Sequence, residues 1–106
     1  MDRLRRIEMV NKLLEKEPDD IFLNYSLGLE YVAELNLPEA EKLFKKVLAL
    51  DNNYIAAYYQ LGKLYESQTK NAEALIYFKE GLTKAKELKN NKAINEFGEA
   101  VFMLED

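Results

Sequence analysis

Apolar side chains along this chain return at helical intervals and are cut off by short polar breaks. Leu4, Ile7, Val10, Leu13 and Leu14 share one face after Asp2, so the spacing predicts a helix over residues 3 to 16, with Asp2 as its N-cap. Pro18 ends it, because the proline ring disfavours a helical Glu17. A second helix is expected to start after Asp19 or Asp20, whose carboxylates suit the first-turn amides, and to carry Leu23, Leu27 and Tyr31 towards Glu34. After the turn Asn36-Leu37-Pro38, a third begins at Pro38 and presents Ala40, Leu43, Phe44, Val47 and Leu48. Asp51-Asn52-Asn53 closes it. A fourth carries Tyr54, Tyr58, Leu61, Leu64 and Tyr65, and a fifth, capped by Asn71, carries Ala74, Leu75, Phe78 and Leu82. Beyond Lys89-Asn90-Asn91, a sixth places Ile94, Phe97, Val101 and Leu104 on one face. No window alternates apolar and polar residues between turn signals, so no strand is predicted.

Composition narrows the chemistry. The 106 residues suit one domain, and 48% hydrophobic with 32% charged residues is a globular balance. There is no Cys and no His, which removes thiolate chemistry and the commonest general base and zinc ligand. No enzymatic activity, cofactor or metal is therefore expected. A net charge of -4 opposes a polyanion, so no nucleic-acid partner is expected. The longest apolar run, Tyr54 to Tyr59, is far short of the roughly 20 residues of a membrane span, so no membrane partner is expected either. Without a secretory signal behind Arg3, Arg5 and Arg6, a cytoplasmic location is expected.

A shift of 34 residues lays Leu27, Gly28 and Tyr31 on Leu61, Gly62 and Tyr65, and Ala40, Phe44 and Leu48 on Ala74, Phe78 and Leu82. Glu39/Glu73 and Lys45/Lys79 coincide too. That period and spacing resemble the tetratricopeptide repeat. Two copies match over about residues 21 to 88; Asn24, where Tyr58 stands in the second copy, and Asn52 and Lys86, where a Pro is usual, depart from the pattern. A glycine inside a helix costs about 1 kcal/mol relative to Ala, so Gly28 and Gly62 suggest a close helix approach. Ala40 and Ala74 are small for the same reason, Gly81 suggests a still closer crossing, and Tyr31, Tyr65, Phe44 and Phe78 are the fillers. The same register sets Val10 and Leu13 on Phe44 and Val47, which makes helix one the second half of an incomplete repeat. Phe97-Gly98 resembles the Leu-Gly pair two residues late, and helix six reads as a cap whose Lys92, Asn95, Glu96 and Glu99 cover the last repeat. The expected architecture is an all-α, alpha-alpha superhelix of antiparallel helix pairs with about six helices, a single domain over 1–106. It divides into a half-repeat (1–18), two repeats (19–53 and 54–88) and a capping helix (89–106).

The resemblance implies a concave partner-binding face formed by Phe22, Tyr25, Leu29 and Val32 in the first copy and by Ala56, Tyr59, Lys63 and Glu66 in the second. That strip is apolar at one end and charged at the other, which suits a partner helix or extended peptide. Alternatively, helix one or six folds over these residues and makes them core. A clamp for a terminal carboxylate is not reproduced, since Tyr25 and Leu29 stand where Lys and Asn are expected. Arg3, Arg5 and Arg6 either contact phosphate or an acidic partner or are simply solvated, and Asp19-Asp20 reads as capping rather than as a metal site. Acidic residues outnumber basic ones seven to three over 19–53, whereas 54–88 carries one excess positive charge, so a complementary partner or head-to-tail pairing could be steered. The functions expected are a protein-binding adaptor or assembly factor or, alternatively, a self-assembling protein, a homo-oligomer pairing through an exposed end of the stack.

Overall fold

Six α-helices form among the described residues, 2–105, of a computed structural model of the chain: α1 (Arg3–Lys16), α2 (Ile21–Ala33), α3 (Leu37–Leu50), α4 (Ile55–Ser67), α5 (Asn71–Glu87) and α6 (Asn91–Leu104). No strand occurs among these residues. The all-α reading holds, and the expected breaks fall where the helices end. Contacts separate the chain into two compact units, 1–52 and 53–106. The first holds α1 to α3 and the second α4 to α6.

Caps explain most helix starts. Asp2 Oδ1 accepts from the Arg5 amide at 2.9 Å, Asp20 Oδ1 from Leu23 at 2.9 Å, and Asn90 Oδ1 from Ala93 at 3.1 Å. Two expectations need correction. Asn71 does not cap α5; it is the first helical residue, and Lys70 holds the cap position without a side-chain bond. Pro38 is the second residue of α3, one place later than expected, where its missing N–H still leaves no intrahelical acceptor unmatched.

The glycines are notches for aromatic rings. A Cβ on Gly28 would lie 2.6 Å from Phe44 Cε1, and one on Gly62 would lie 2.4 Å from Phe78 Cε1. Both phenylalanines are completely buried, as are Ala40 and Ala74, so the α2/α3 and α4/α5 pairs close in the same way. Gly81 repeats the device: a Cβ there would meet Phe97 at 2.2 Å. Hence Phe97 fills the role of Phe44 and Phe78, not that of the Leu in a Leu-Gly pair, and around Gly98 a Cβ would meet nothing within 4 Å. The expected equivalence of Phe97-Gly98 with Leu27-Gly28 is therefore corrected. On α6 the packing comes from buried Phe97 and Val101, while Lys92, Asn95, Glu96 and Glu99 stay exposed.

Three turns share one construction. Leu35, Thr69 and Lys89 have φ of 61, 58 and 56°, immediately after the C-caps of α2, α4 and α5. In each turn the next amide reaches back to close the helix end: Asn36 to Tyr31 O, Lys70 to Tyr65 O and Asn90 to Ala85 O, at 2.9, 3.0 and 3.0 Å. Leu35, Thr69 and Lys89 themselves donate to Val32, Glu66 and Lys86. This is the Schellman arrangement, which ordinarily favours glycine at the left-handed residue.

Within the first unit, α1 is held differently. Only Ile7 of α1 is buried. Arg6 Nε donates to Glu30 at 2.9 Å, and Arg3 lies 3.4 Å from Glu34, so ion pairs tie α1 to α2. Leu13 is half exposed, unlike the fully buried Val47 whose place it was expected to take. Asn24 explains its own departure from the aromatic pattern: it is buried, and its Nδ2 donates to Asp20 O at 2.8 Å and Pro18 O at 3.0 Å. Lys46 Nζ also donates to Pro18 O, at 2.7 Å, fastening the α1–α2 loop to α3.

Candidate functional site

Helix α2 carries Phe22, Tyr25, Leu29 and Val32, and none of the four is buried. Phe22 is the most open, with 68% of its surface accessible. Tyr25 is half-buried because its ring leans on Phe44, with centroids 5.6 Å apart. It therefore contributes both to the surface and to the plug beneath it.

In the second unit, Tyr59 leans on Phe78 at 5.6 Å in the same tilted geometry. It also meets Phe97 of α6 edge-on at 5.6 Å. The sixth helix thus covers Tyr59 in part, without converting it to core. Lys63 and Glu66 follow on α4, 3.9 Å apart, a separation at which an exposed pair contributes little. Ala56 is exposed.

Tyr59, Lys63 and Glu66 line one cleft of about 310 Å³, with Phe78 at its base and Glu96, Glu99, Ala100 and Met103 of α6 as its other wall. Three carboxylates against one ammonium give it a negative lining. The α6 wall was missed by sequence reasoning, although residues 96, 99, 100 and 103 recur at three- and four-residue steps and form one helical face.

Elsewhere, the N-terminal arginines divide their roles. Arg3 and Arg6 are engaged by Glu30 and Glu34, whereas Arg5 has no ion-pair partner among the described residues. Asp20 caps α2 and Asp19 lies 3.7 Å from Lys46, so the acidic pair is absorbed by folding. No group of acidic side chains among the described residues is placed to hold a metal ion, and no described helix is long and apolar enough to cross a membrane.

No protein-family model matches the sequence. The solution structure of a tetratricopeptide repeat domain protein from Salinibacter ruber is 32% identical, with a TM-score of 0.78, over 83% of this chain and 89% of that one. The chain belongs to the tetratricopeptide-repeat family. The TPR2B domain of yeast Sti1, solved in a complex with pHsp70, has the same fold at 18% identity, with a TM-score of 0.87 over 97% of this chain and 82% of that one. Bovine neutrophil cytosol factor 2 is 37% identical over 71 residues, 67% of this chain, and the chain spans only 13% of that protein's length. As a tetratricopeptide-repeat chain, it keeps the Gly and Phe positions that close each helix pair and departs at Asn24, where a buried amide replaces an aromatic ring.

Proposed function

We propose that the chain is a reversible protein-binding module of the adaptor or assembly-factor kind, which uses the outward faces of α2 and α4 to take a partner helix or extended peptide. In this reading it needs no cofactor, catalyses no reaction and works in the cytoplasm, with 1–106 acting as one domain. The observation that carries the proposal is that all eight residues at the family's partner-facing places, Phe22, Tyr25, Leu29, Val32, Ala56, Tyr59, Lys63 and Glu66, remain outside the core. An exposed Phe beside Leu29 and Val32 is an apolar strip of the kind that marks protein contacts. The complex of Sti1 with pHsp70 supports the same use of the fold. Tyr25 and Leu29, in place of Lys and Asn, argue for a different ligand chemistry from a terminal carboxylate.

The test uses the full chain as bait in native lysate, with captured proteins identified by mass spectrometry. Phe22→Glu and Lys63→Glu are suitable probes because both side chains are exposed and support no plug, whereas Tyr25 and Tyr59 touch Phe44 and Phe78. The expected result is loss of a specific partner from one or both variants with unchanged thermal melts. Retention of every captured protein by both variants refutes the reading. Self-assembly is the second reading, favoured by the uncovered Met9 and Leu13 of α1.

A further inference from the structure

Helix α1 has two unlike sides. Towards α2 it turns Arg3, Arg6 and Ile7. Roughly opposite Ile7, and bordering Arg6 at its Leu13 edge, Arg5, Met9, Lys12, Leu13 and Lys16 fall within an arc of about 100°, at 3.6 residues per turn. All five are exposed, Met9 by 51% and Leu13 by 50%. Arg5, Lys12 and Lys16 have no ion-pair partner among the described residues, and with Met9 and Leu13 they form an exposed surface flanked by Glu8 and Glu15, three cations against two carboxylates.

The α4/α6 cleft has the converse lining. Tyr59, Ala100 and Met103 are its apolar part, and Glu66, Glu96 and Glu99 its anionic part. Glu99 has no ion-pair partner among the described residues, and the contacts of Glu66 with Lys63 and Glu96 with Lys92 are both 3.9 Å long. At about 310 Å³ the cleft sits at the small end of ligand pockets, which span about 300–1,000 Å³, and so suits a few side chains from a helix face.

We infer that this cleft receives the Arg5/Met9/Lys12/Leu13/Lys16 face of α1 from a second copy of the chain. The inference rests on the reading that the outward face of α4 is a protein-binding surface, and it names the occupant. Basic side chains meet carboxylates, and Met9 and Leu13 meet Tyr59 and Met103. Because donor face and acceptor cleft differ, the contact is heterologous: each copy gives one and takes one, so association proceeds head to tail rather than stopping at a two-fold dimer. Opposite charges held at the rim make it salt-dependent, since screening tightens from about 10 Å at 0.1 M to about 3 Å at 1 M.

Light scattering of the full chain, from micromolar to millimolar concentration at low and high salt, tests it with Lys12→Glu and Glu99→Lys. Both positions are exposed and unpaired, and unchanged melts confirm folding. The expected outcome is a mass that rises with concentration at low salt and falls at high salt. Each variant alone stays monomeric; an equimolar mixture, or the double variant carrying both reversals, associates again. A wild type that stays monomeric at every concentration overturns the inference, as do variants that associate like wild type, or a mixture and double variant that both stay monomeric. If the wild type is monomeric yet a captured partner is lost on Lys63→Glu, the occupant is a foreign chain, and the binding role survives without the self-association.

Discussion

Gly62→Ala places a methyl group against a ring that has no room to leave. The added Cβ would sit 2.4, 2.6 and 2.7 Å from three atoms of Phe78, against about 3.5–4.0 Å for carbon atoms in good contact. Phe78 is fully buried, and Tyr59 rests on it at 5.6 Å, so the ring can yield only by parting α4 from α5 or by displacing Tyr59. Overpacking of this kind costs about 1–3 kcal/mol, and the size of the overlap argues for the upper end. Against it stands a gain of about 1 kcal/mol from replacing a helical glycine with Ala. The net loss expected is about 2 kcal/mol, a fall in Tm on the order of 10 °C for a chain this small. Gly98→Ala is the internal control: with nothing within 4 Å of its Cβ, only the helix gain of about 1 kcal/mol remains, and Tm should rise. Thermal and urea unfolding followed by far-UV circular dichroism read both. The notch is further isolated by Phe78→Leu, which should cost less in the Gly62→Ala background than alone, with a coupling of about 0.5–3 kcal/mol. A Gly62→Ala protein as stable as wild type, or additive effects with Phe78→Leu, would refute the account of how the helix pairs close.

Thr69→Gly should stabilise the chain, because a β-branched residue at φ 58° carries about 1–2 kcal/mol of left-handed strain that glycine lacks, less the entropy that glycine brings; a Tm at or below wild type contradicts this. Asn24→Ala should cost about 1–3 kcal/mol in urea unfolding, since it removes both bonds from Nδ2 and opens a void beside the α1–α2 loop. Glu30→Ala should cost under about 1 kcal/mol, because its arginine partners are about two-fifths exposed, and the loss should shrink with added salt.

How far the sequence could be read depended on which physical signal each feature leaves in it. Helix number and extent follow from apolar spacing and polar breaks, and all six helices lie where those signals place them. The notches at Gly28 and Gly62 were legible because a glycine amid strong helix formers demands a reason, and the 34-residue shift supplied a second instance. The close approach at Gly81 was expected too, but its pairing with Phe97 escaped the comparison because it obeys another rule: Gly28 to Phe44, Gly62 to Phe78 and Gly81 to Phe97 are each separated by 16 residues. The distance from notch to plug across a hairpin is thus kept while the distance between hairpins changes, so α5 serves twice, filling Gly62 with Phe78 and receiving Phe97 at Gly81. A search by repeat length sees the slip; a search by hairpin span sees the identity. The left-handed turns at Leu35, Thr69 and Lys89 were invisible for the opposite reason, since none carries the glycine that ordinarily announces them. The acidic wall of the α4/α6 cleft was hidden by its polarity: Glu96 and Glu99 read as solvated cap residues until Phe97, buried between them in sequence, fixed which way the helix faces. What the sequence conceals is therefore the direction in which a polar face points, and that is decided by where its apolar neighbours find a notch.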